Sequence, residues 1–301
     1  MKLKNVYFFG LLLLIVTACN EAGSPTEEVN QRENTESADK EKKVELVFPA
    51  ISPRAEVQQM IGITKVKVNY SRPSVRERVI WGGLVPYDEV WRTGANAPTT
   101  IKFPHDVSVS GNHLQAGKYN LTTIPGANGE WEFIFTGPDG DDNEALRFNV
   151  QSGSADSFHE MMTFQFKDVT ETSGHLVLIW DELEVGFLIE TETHELVTEM
   201  IDKAIAHAAD DDWSTYSQSA RYLIERGERL DEAEEWVNTA IAIEENWRNY
   251  FTKGLLREKQ GNIDEAIESI EKAIEIGREQ EETFGAEGFL LGILERLNEQ
   301  V

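Results

Sequence analysis

Apolar and polar positions alternate along the first half of the chain. Val66, Val68 and Tyr70 are separated by Lys67 and Asn69, and Val107 and Val109 alternate with Ser108 and Ser110. A period of two sets one row of side chains against a core and the other in water, which marks half-buried strands. Tyr119, Leu121 and Thr123 form one such row, and Trp131, Phe133 and Phe135 form the inward row of the next strand. Pro125-Gly126-Ala127-Asn128-Gly129 between them reads as a turn-rich connector, and Ser110-Gly111-Asn112 as a hairpin turn. The runs from Met161 to Phe166, His175 to Trp180 and Leu183 to Ile189 repeat the pattern, with Ser173-Gly174 and Asp181-Glu182 as turns. Many short strands without helical periodicity between them predict an antiparallel β-sandwich over about residues 44–190.

The texture changes near residue 191. Trp213, Tyr216, Ala220 and Gly227 are matched by Trp247, Tyr250, Gly254 and Gly261, a four-point pattern repeated every 34 residues, the tetratricopeptide spacing. Ala233, Val237 and Ala240 correspond to Ala266, Ile270 and Ala273, offset by one residue. Small residues at these positions let paired helices cross closely, and Trp and Tyr plug the gaps between pairs. Asn262 followed by Glu265 predicts a helix start. Met200, Ala204 and Ile205 read as the second helix of an incomplete earlier repeat, and 288–297 as a closing helix. The expectation for 191–301 is therefore a short tetratricopeptide-like helical array of about two and a half repeats. So few repeats need a further surface to lean on, either the sandwich or a partner.

Before the strands, Lys2 and Lys4 precede an apolar run over 6–16, too short for a comfortable membrane span and right for an export-signal core. The run ends in Val16-Thr17-Ala18-Cys19, which resembles the bacterial lipobox, so residues 1–19 predict a lipoprotein signal with Cys19 as the lipidated residue. Asn20 follows, with no Asp to suggest inner-membrane retention; the expected location is the outer membrane, on its periplasmic or surface face. Residues 20–43 are rich in Glu, Asn, Ser, Thr, Gln and Lys and hold too little apolar surface to fold, so they predict a disordered tether.

Charge narrows the function classes. With 54 acidic against 28 basic residues, net -26, the chain is poorly suited to nucleic acid or an anionic membrane surface, so the lipid anchor is the expected membrane contact. Cys19 is the sole cysteine, which removes intrachain disulfides and Cys-rich zinc sites. The six histidines lie singly, without a metal-ligand spacing, and no cofactor is expected. His159-Glu160, His105, His113 and His175 read as surface positions. The Asp-rich stretch from Gly137 to Asn143 lacks the Glu that an EF-hand needs at its twelfth position and reads as a polar turn. The helical half carries 25 acidic and 11 basic residues from Leu196 onward, predicting an acidic surface that is either a solvated face or a groove for a basic peptide.

One stretch stands apart. From Ser71 to Asn96 the chain has too many Gly and Pro breaks for a long helix, and too many aromatic and Arg side chains for a plain linker. Arg72, Arg76, Arg78 and Arg92 form a cationic island among Trp81, Tyr87 and Trp91, with Asn96 at its end. Guanidinium groups beside indoles suit a carboxylate, a phosphate or a stacked sugar. The architectural alternative pairs these arginines with Glu77, Asp88 and Glu89 and stacks them on Trp81 and Trp91. Arg72 and Arg76 lean to architecture and Arg92 to a ligand. Gly82, Gly83 and Gly94 read as backbone points requiring positive φ.

Ser71-Arg72-Pro73, Leu84-Val85-Pro86-Tyr87, the run Val90-Trp91-Arg92-Thr93-Gly94-Ala95-Asn96, Ala116-Gly117-Lys118-Tyr119, Thr123-Ile124-Pro125 and Trp131-Glu132-Phe133 together resemble the signature of the DUF2911 family, exported proteins of unknown function. The resemblance covers about half the chain and implies a fold and an export habit, not a reaction. The segment after Phe135 is shorter here than in relatives, which tend to carry Trp and Tyr there. The combined reading is a lipid-anchored envelope protein that binds rather than catalyses. It takes protein partners on its helices and a small anionic or saccharide ligand, if any, at the loop. Its rival is an envelope hydrolase acting on saccharide or peptide, with the loop as anion clamp and a catalytic dyad beside it.

Overall fold

The computed structural model describes residues 47–137, 143–281 and 283–301. The expected signal segment with Cys19, the expected tether over 20–43 and most of the Asp-rich stretch lie outside the described residues.

Ten strands and six helices are found among the described residues. β1 (Arg54–Ile61), β2 (Thr64–Ser71), β3 (Thr99–Phe103), β6 (Gly117–Pro125), β7 (Glu130–Thr136) and β8 (Glu144–Gln151) form a six-stranded sheet in the order β1-β2-β3-β6-β7-β8. β4 (Val107–Val109), β5 (Asn112–Leu114), β9 (Gly153–Lys167) and β10 (Ser173–Thr191) form the second sheet, in the order β5-β4-β10-β9. Every strand pair is antiparallel.

The alternating rows named from sequence supply the filling. Val66, Val68, Tyr70, Tyr119, Leu121, Trp131, Phe133 and Phe135 of the large sheet share one buried cluster with Phe164, Leu176, Leu178, Trp180 and Phe187 of the small one. Rings meet edge to face across the gap, Tyr70 with Phe164 at 5.0 Å and Phe133 with Phe187 at 5.1 Å. Each fully buried ring contributes about 1.5–3 kcal/mol relative to exposure, so this layer is the main stabilising term of the sandwich.

Some local expectations are corrected. Asp181-Glu182 is not a turn: β10 continues through it as a bulge, with register shifts on both sides of Asp181 and φ +59 at that residue. A bulge bends a strand without ending its pairing, which is how one strand joins the two runs read separately. The preceding turn lies at 168–172, ahead of Ser173-Gly174, and is closed by Thr170, whose N–H donates to Ser173 O and whose Oγ1 accepts from Ser173 N. β1 and β8 are edge strands whose inner rows are only partly covered, a weaker signal than the central strands give.

A single residue, Glu192, separates β10 from α1 (Thr193–Ala206). α2 (Trp213–Arg226), α3 (Leu230–Ile243), α4 (Trp247–Lys259), α5 (Ile263–Gln280) and α6 (Glu287–Asn298) follow. The small positions fulfil their packing role: Ala220, Ala233, Ala240, Ala266 and Ala273 are fully buried. A Cβ on Gly254 would lie 2.6 Å from Ile270 Cδ1, so the close crossing of α4 and α5 would need Ile270 to shift if a larger residue stood there. Asp212 caps α2, accepting from Thr215 N at 3.1 Å; the Thr215 hydroxyl and then its N–H hold the Asp212 carboxyl below the ordinary carboxylate range. Asn246 caps α4 through Asn249 N at 3.0 Å. Asn262 occupies the corresponding place before α5, but its side chain makes no capping bond. In α1 the inward residues are Val197, Ile201 and Ile205; Met200 and Ala204 face outward, so the repeat register expected there is off by one face.

The array meets the sandwich through polar contacts at its first two helices. Arg226 at the end of α2 pairs with Glu171 in the β9–β10 turn, and Thr193 Oγ1 donates to Glu171 O at 3.2 Å. Gly62, in the β1–β2 turn, faces Thr193 so closely that a Cβ there would overlap it.

Candidate ligand site under the tryptophan loop

The chain leaves β2 at Ser71 and returns to the sheet at Thr99, and the segment between is pinned at both sides. On the large sheet, Trp91 N donates to Thr123 O at 2.7 Å, Thr123 N returns a bond to Trp91 O at 2.9 Å, and Asp88 N donates to Pro125 O. On the small sheet, Val75 N donates to Glu160 O and Met162 N to Pro73 O. The loop thus closes one end of the sandwich by bonding to both layers.

Four indoles hold its centre. Trp81 meets Trp131 of β7 at 5.0 Å, Trp180 of β10 at 5.7 Å and Trp91 at 5.9 Å, each edge to face, while Trp91 lies nearly parallel to Trp180 at 6.0 Å. Trp131 and Trp180 are only 1 % exposed. The Nε1–H groups of Trp81 and Trp180 are buried without a hydrogen-bond partner. The loop's two tryptophans were legible as a feature; their partners were not, because Trp131 and Trp180 lie 40 or more residues downstream on different sheets.

The four arginines divide. Arg72 Nε donates to Met162 O at 2.9 Å and its Nη2 to Thr163 Oγ1 at 2.6 Å, fastening the strand end to β9. Arg78 folds back onto its own loop, Nε to Val75 O at 3.0 Å and Nη2 to Ser74 O at 2.5 Å. The side chains of Arg76 and Arg92 are exposed and make no bond or ion pair among the described residues. The anticipated pairing with Glu77, Asp88 and Glu89 is absent among the described residues, as is stacking of these arginines on Trp81 or Trp91. Arg72 and Arg78 are architectural through backbone carbonyls instead, and Arg76, expected to be architectural, contributes only its backbone N–H, to Glu160 Oε1.

Beneath the loop is a cavity of about 500 Å³. Arg76, Arg78, Trp91 and Arg92 line it, joined by Trp180, Thr122, Ser74, Leu84, Val85 and Val90, which sequence reasoning did not single out. Arg72, Trp81, Tyr87 and Asn96 do not line it: Tyr87 packs over Gly82, and Asn96 Nδ2 donates to Ser52 O at 3.2 Å. No carboxylate, histidine or lysine lines the cavity among the described residues, so the dyad that hydrolysis would need is not at this wall.

The backbone around the cavity is strained. Arg76, Glu77, Asp88, Thr93 and Asn96 all have φ between +51 and +60, a conformation that costs a non-glycine residue about 1–3 kcal/mol and clusters at functional sites. Gly82 and Gly94 have positive φ as expected, whereas Gly83 does not; a Cβ there would lie 2.5 Å from Val79 O, so close backbone approach is the requirement.

Comparison with known families gives a match on each part of the chain. Residues 52–189 match the family described as Protein of unknown function (DUF2911), and residues 248–279 match the Tetratricopeptide repeat. The chain carries a DUF2911 region followed by tetratricopeptide helices. No curated protein and no solved structure matches it.

The tetratricopeptide helices form a second concavity, of about 450 Å³, between α2, α4 and α6. Trp213, Trp247, Phe251 and Phe289 supply its aromatic walls. Arg221 lies over the Phe251 ring at 5.2 Å and Arg248 over Trp247 at 4.4 Å. Trp213 and Trp247 are half-buried and line this groove, and Trp247 also packs against the helical core and meets Phe284 at 5.3 Å, the gap-filling role expected of it. The acidic surface expected of this half does not extend into it: no carboxylate lines the groove among the described residues.

Arg72→Ala is expected to lower the unfolding free energy of the protein by about 1–3 kcal/mol, since Met162 O and Thr163 lose a charge-assisted donor. Arg76→Ala and Arg92→Ala, which break no bond in the free protein, stay within about 0.5 kcal/mol of the unmutated chain. Urea unfolding of the three variants checks the contrast, and equal losses at all three positions would refute it.

Proposed function

We propose that the protein is a non-enzymatic binding module that takes a protein partner in the groove of its tetratricopeptide helices. The observation that carries this is the groove itself, an aromatic-walled concavity with Arg248, which has no carboxylate partner among the described residues, beside Arg221, which pairs with Glu225 at 2.8 Å. Such a groove suits an extended or helical segment that places an apolar side chain between Trp213, Trp247 and Phe289 and sets Asp, Glu or a terminal carboxylate against Arg248. Charge placement of this sort selects partners as well as attracting them. The acidic outer faces repel acidic chains elsewhere on the array, which directs such a segment to the groove.

The proposal includes a place for the module. The apolar run over 6–16, the sequence Val16-Thr17-Ala18-Cys19 and the polar stretch to Lys43 support a lipid anchor on Cys19 at the outer membrane, with a tether that extends up to roughly 70–80 Å. A tethered, non-catalytic module with a partner groove would hold that partner near the envelope.

Selection from a displayed random-peptide library with the purified 44–301 region is expected to enrich acidic segments carrying an aromatic or large aliphatic residue. Their affinity should fall about tenfold or more with Arg248→Glu or Phe289→Ala. Enriched peptides that bind both variants unchanged, or that are basic, would contradict the groove. For the anchor, Cys19→Ser is expected to move the exported protein from the membrane to the soluble fraction; a wild-type chain that takes up no labelled fatty acid would remove that part of the proposal.

A further inference from the structure

The cavity under the tryptophan loop is separate from the helical groove, and its chemistry is one-sided. Its unpaired charged groups are donors: the guanidinium groups of Arg76 and Arg92, which have no partner among the described residues. A guanidinium can only donate, so an occupant that meets both must supply acceptors. The remaining wall is apolar, and two of its members, Leu84 and Val90, are left exposed at 45 % and 67 %. Exposed large apolar side chains beside unpaired guanidinium groups are explained together by one occupant that is charged at one end and apolar along its body.

We propose that this cavity binds a small organic oxyanion, a carboxylate or phosphate head on an apolar body. Arg76 and Arg92 meet the head. The body lies along Trp91, Leu84 and Val90. A neutral saccharide fits less well, because its hydroxyl donors require acceptors and the wall supplies only the hydroxyls of Ser52, Ser74 and Thr122 besides backbone. A volume of about 500 Å³ falls within the 300–1,000 Å³ span of small-molecule sites. The loop's left-handed residues keep the cavity open before the ligand arrives, so little ordering is required on binding.

The test uses the protein lacking only the signal segment, with intrinsic tryptophan fluorescence and thermal unfolding as readouts. Phenylacetate and phenyl phosphate are the charged probes, phenylacetamide the neutral isostere and inorganic phosphate the head alone. At least one charged probe is expected to shift both signals saturably below about 10 mM, with phenylacetamide at least tenfold weaker; the better of the two identifies the head. Arg92→Ala and Arg76→Ala are expected to weaken that probe about 10- to 100-fold with unchanged melting of the free protein. Arg248→Glu in the helical groove should leave it unchanged, which separates this site from the peptide groove. Equal response to phenylacetamide, response to inorganic phosphate alone, no response to either charged probe, or unchanged affinity in both arginine variants overturns the proposal.

Discussion

The structure depends on the contact of four indoles at one end of the sandwich. Trp131 comes from the large sheet, Trp180 from the small one, and Trp81 and Trp91 from the loop that must close the gap between them. Edge-to-face and offset pairs add about 0.5–1.5 kcal/mol each beyond the area they bury. That gain, with the paired bonds between Trp91 and Thr123, offsets the strain of five non-glycine residues at positive φ. Without the cluster a 27-residue connection would have no reason to hold one conformation, and neither the cavity beneath it nor the placement of its arginines would exist.

The central strands were legible because a residue buried on one face and wet on the other leaves a period of two; Val66 to Tyr70 keep it without interruption, and Trp131, Phe133 and Phe135 keep it although Ile134 between them is buried as well. The helices were legible because repeats impose the same small and aromatic residues every 34 positions. Asp181 was misread because a bulge and a turn ask for the same residue type, a short polar side chain that tolerates positive φ, and only the partner strand distinguishes them. The candidate site was half legible. Arg92 and Trp91 announced themselves by density along the chain, whereas Trp180 lies about ninety residues away in sequence and belongs to the site only through the sheet pairing. Arg72 and Arg78 resembled Arg92 in sequence and differ from it in structure because backbone carbonyls, invisible in sequence, lie within their reach.

The loop cavity and the helical groove are lined with arginine and aromatic rings and without carboxylate, whereas a larger cavity of about 750 Å³ is lined by Asp106, Glu192, Glu195 and Glu199. In a chain of net charge -26 the first two are places where an anion meets guanidinium groups on a surface that otherwise disfavours it. The two places differ in scale and rigidity. One is set among helices and open along a face suited to a chain; the other is roofed by a pinned loop and suited to a small molecule. The sandwich positions both, directly at the loop and through Glu171, Thr193 and Gly62 at the first helices.

Native-state hydrogen exchange of the loop amides tests the account most directly, because a pinned roof and a mobile connection differ by several kcal/mol of opening free energy. If the indole cluster holds the loop, the amides of Val75, Val85 and Trp91 exchange with the same opening free energy as Leu121 and Phe133 in the central strands. Exchange of those three amides at the rate of an exposed, unbonded loop, while the strands stay protected, would contradict it.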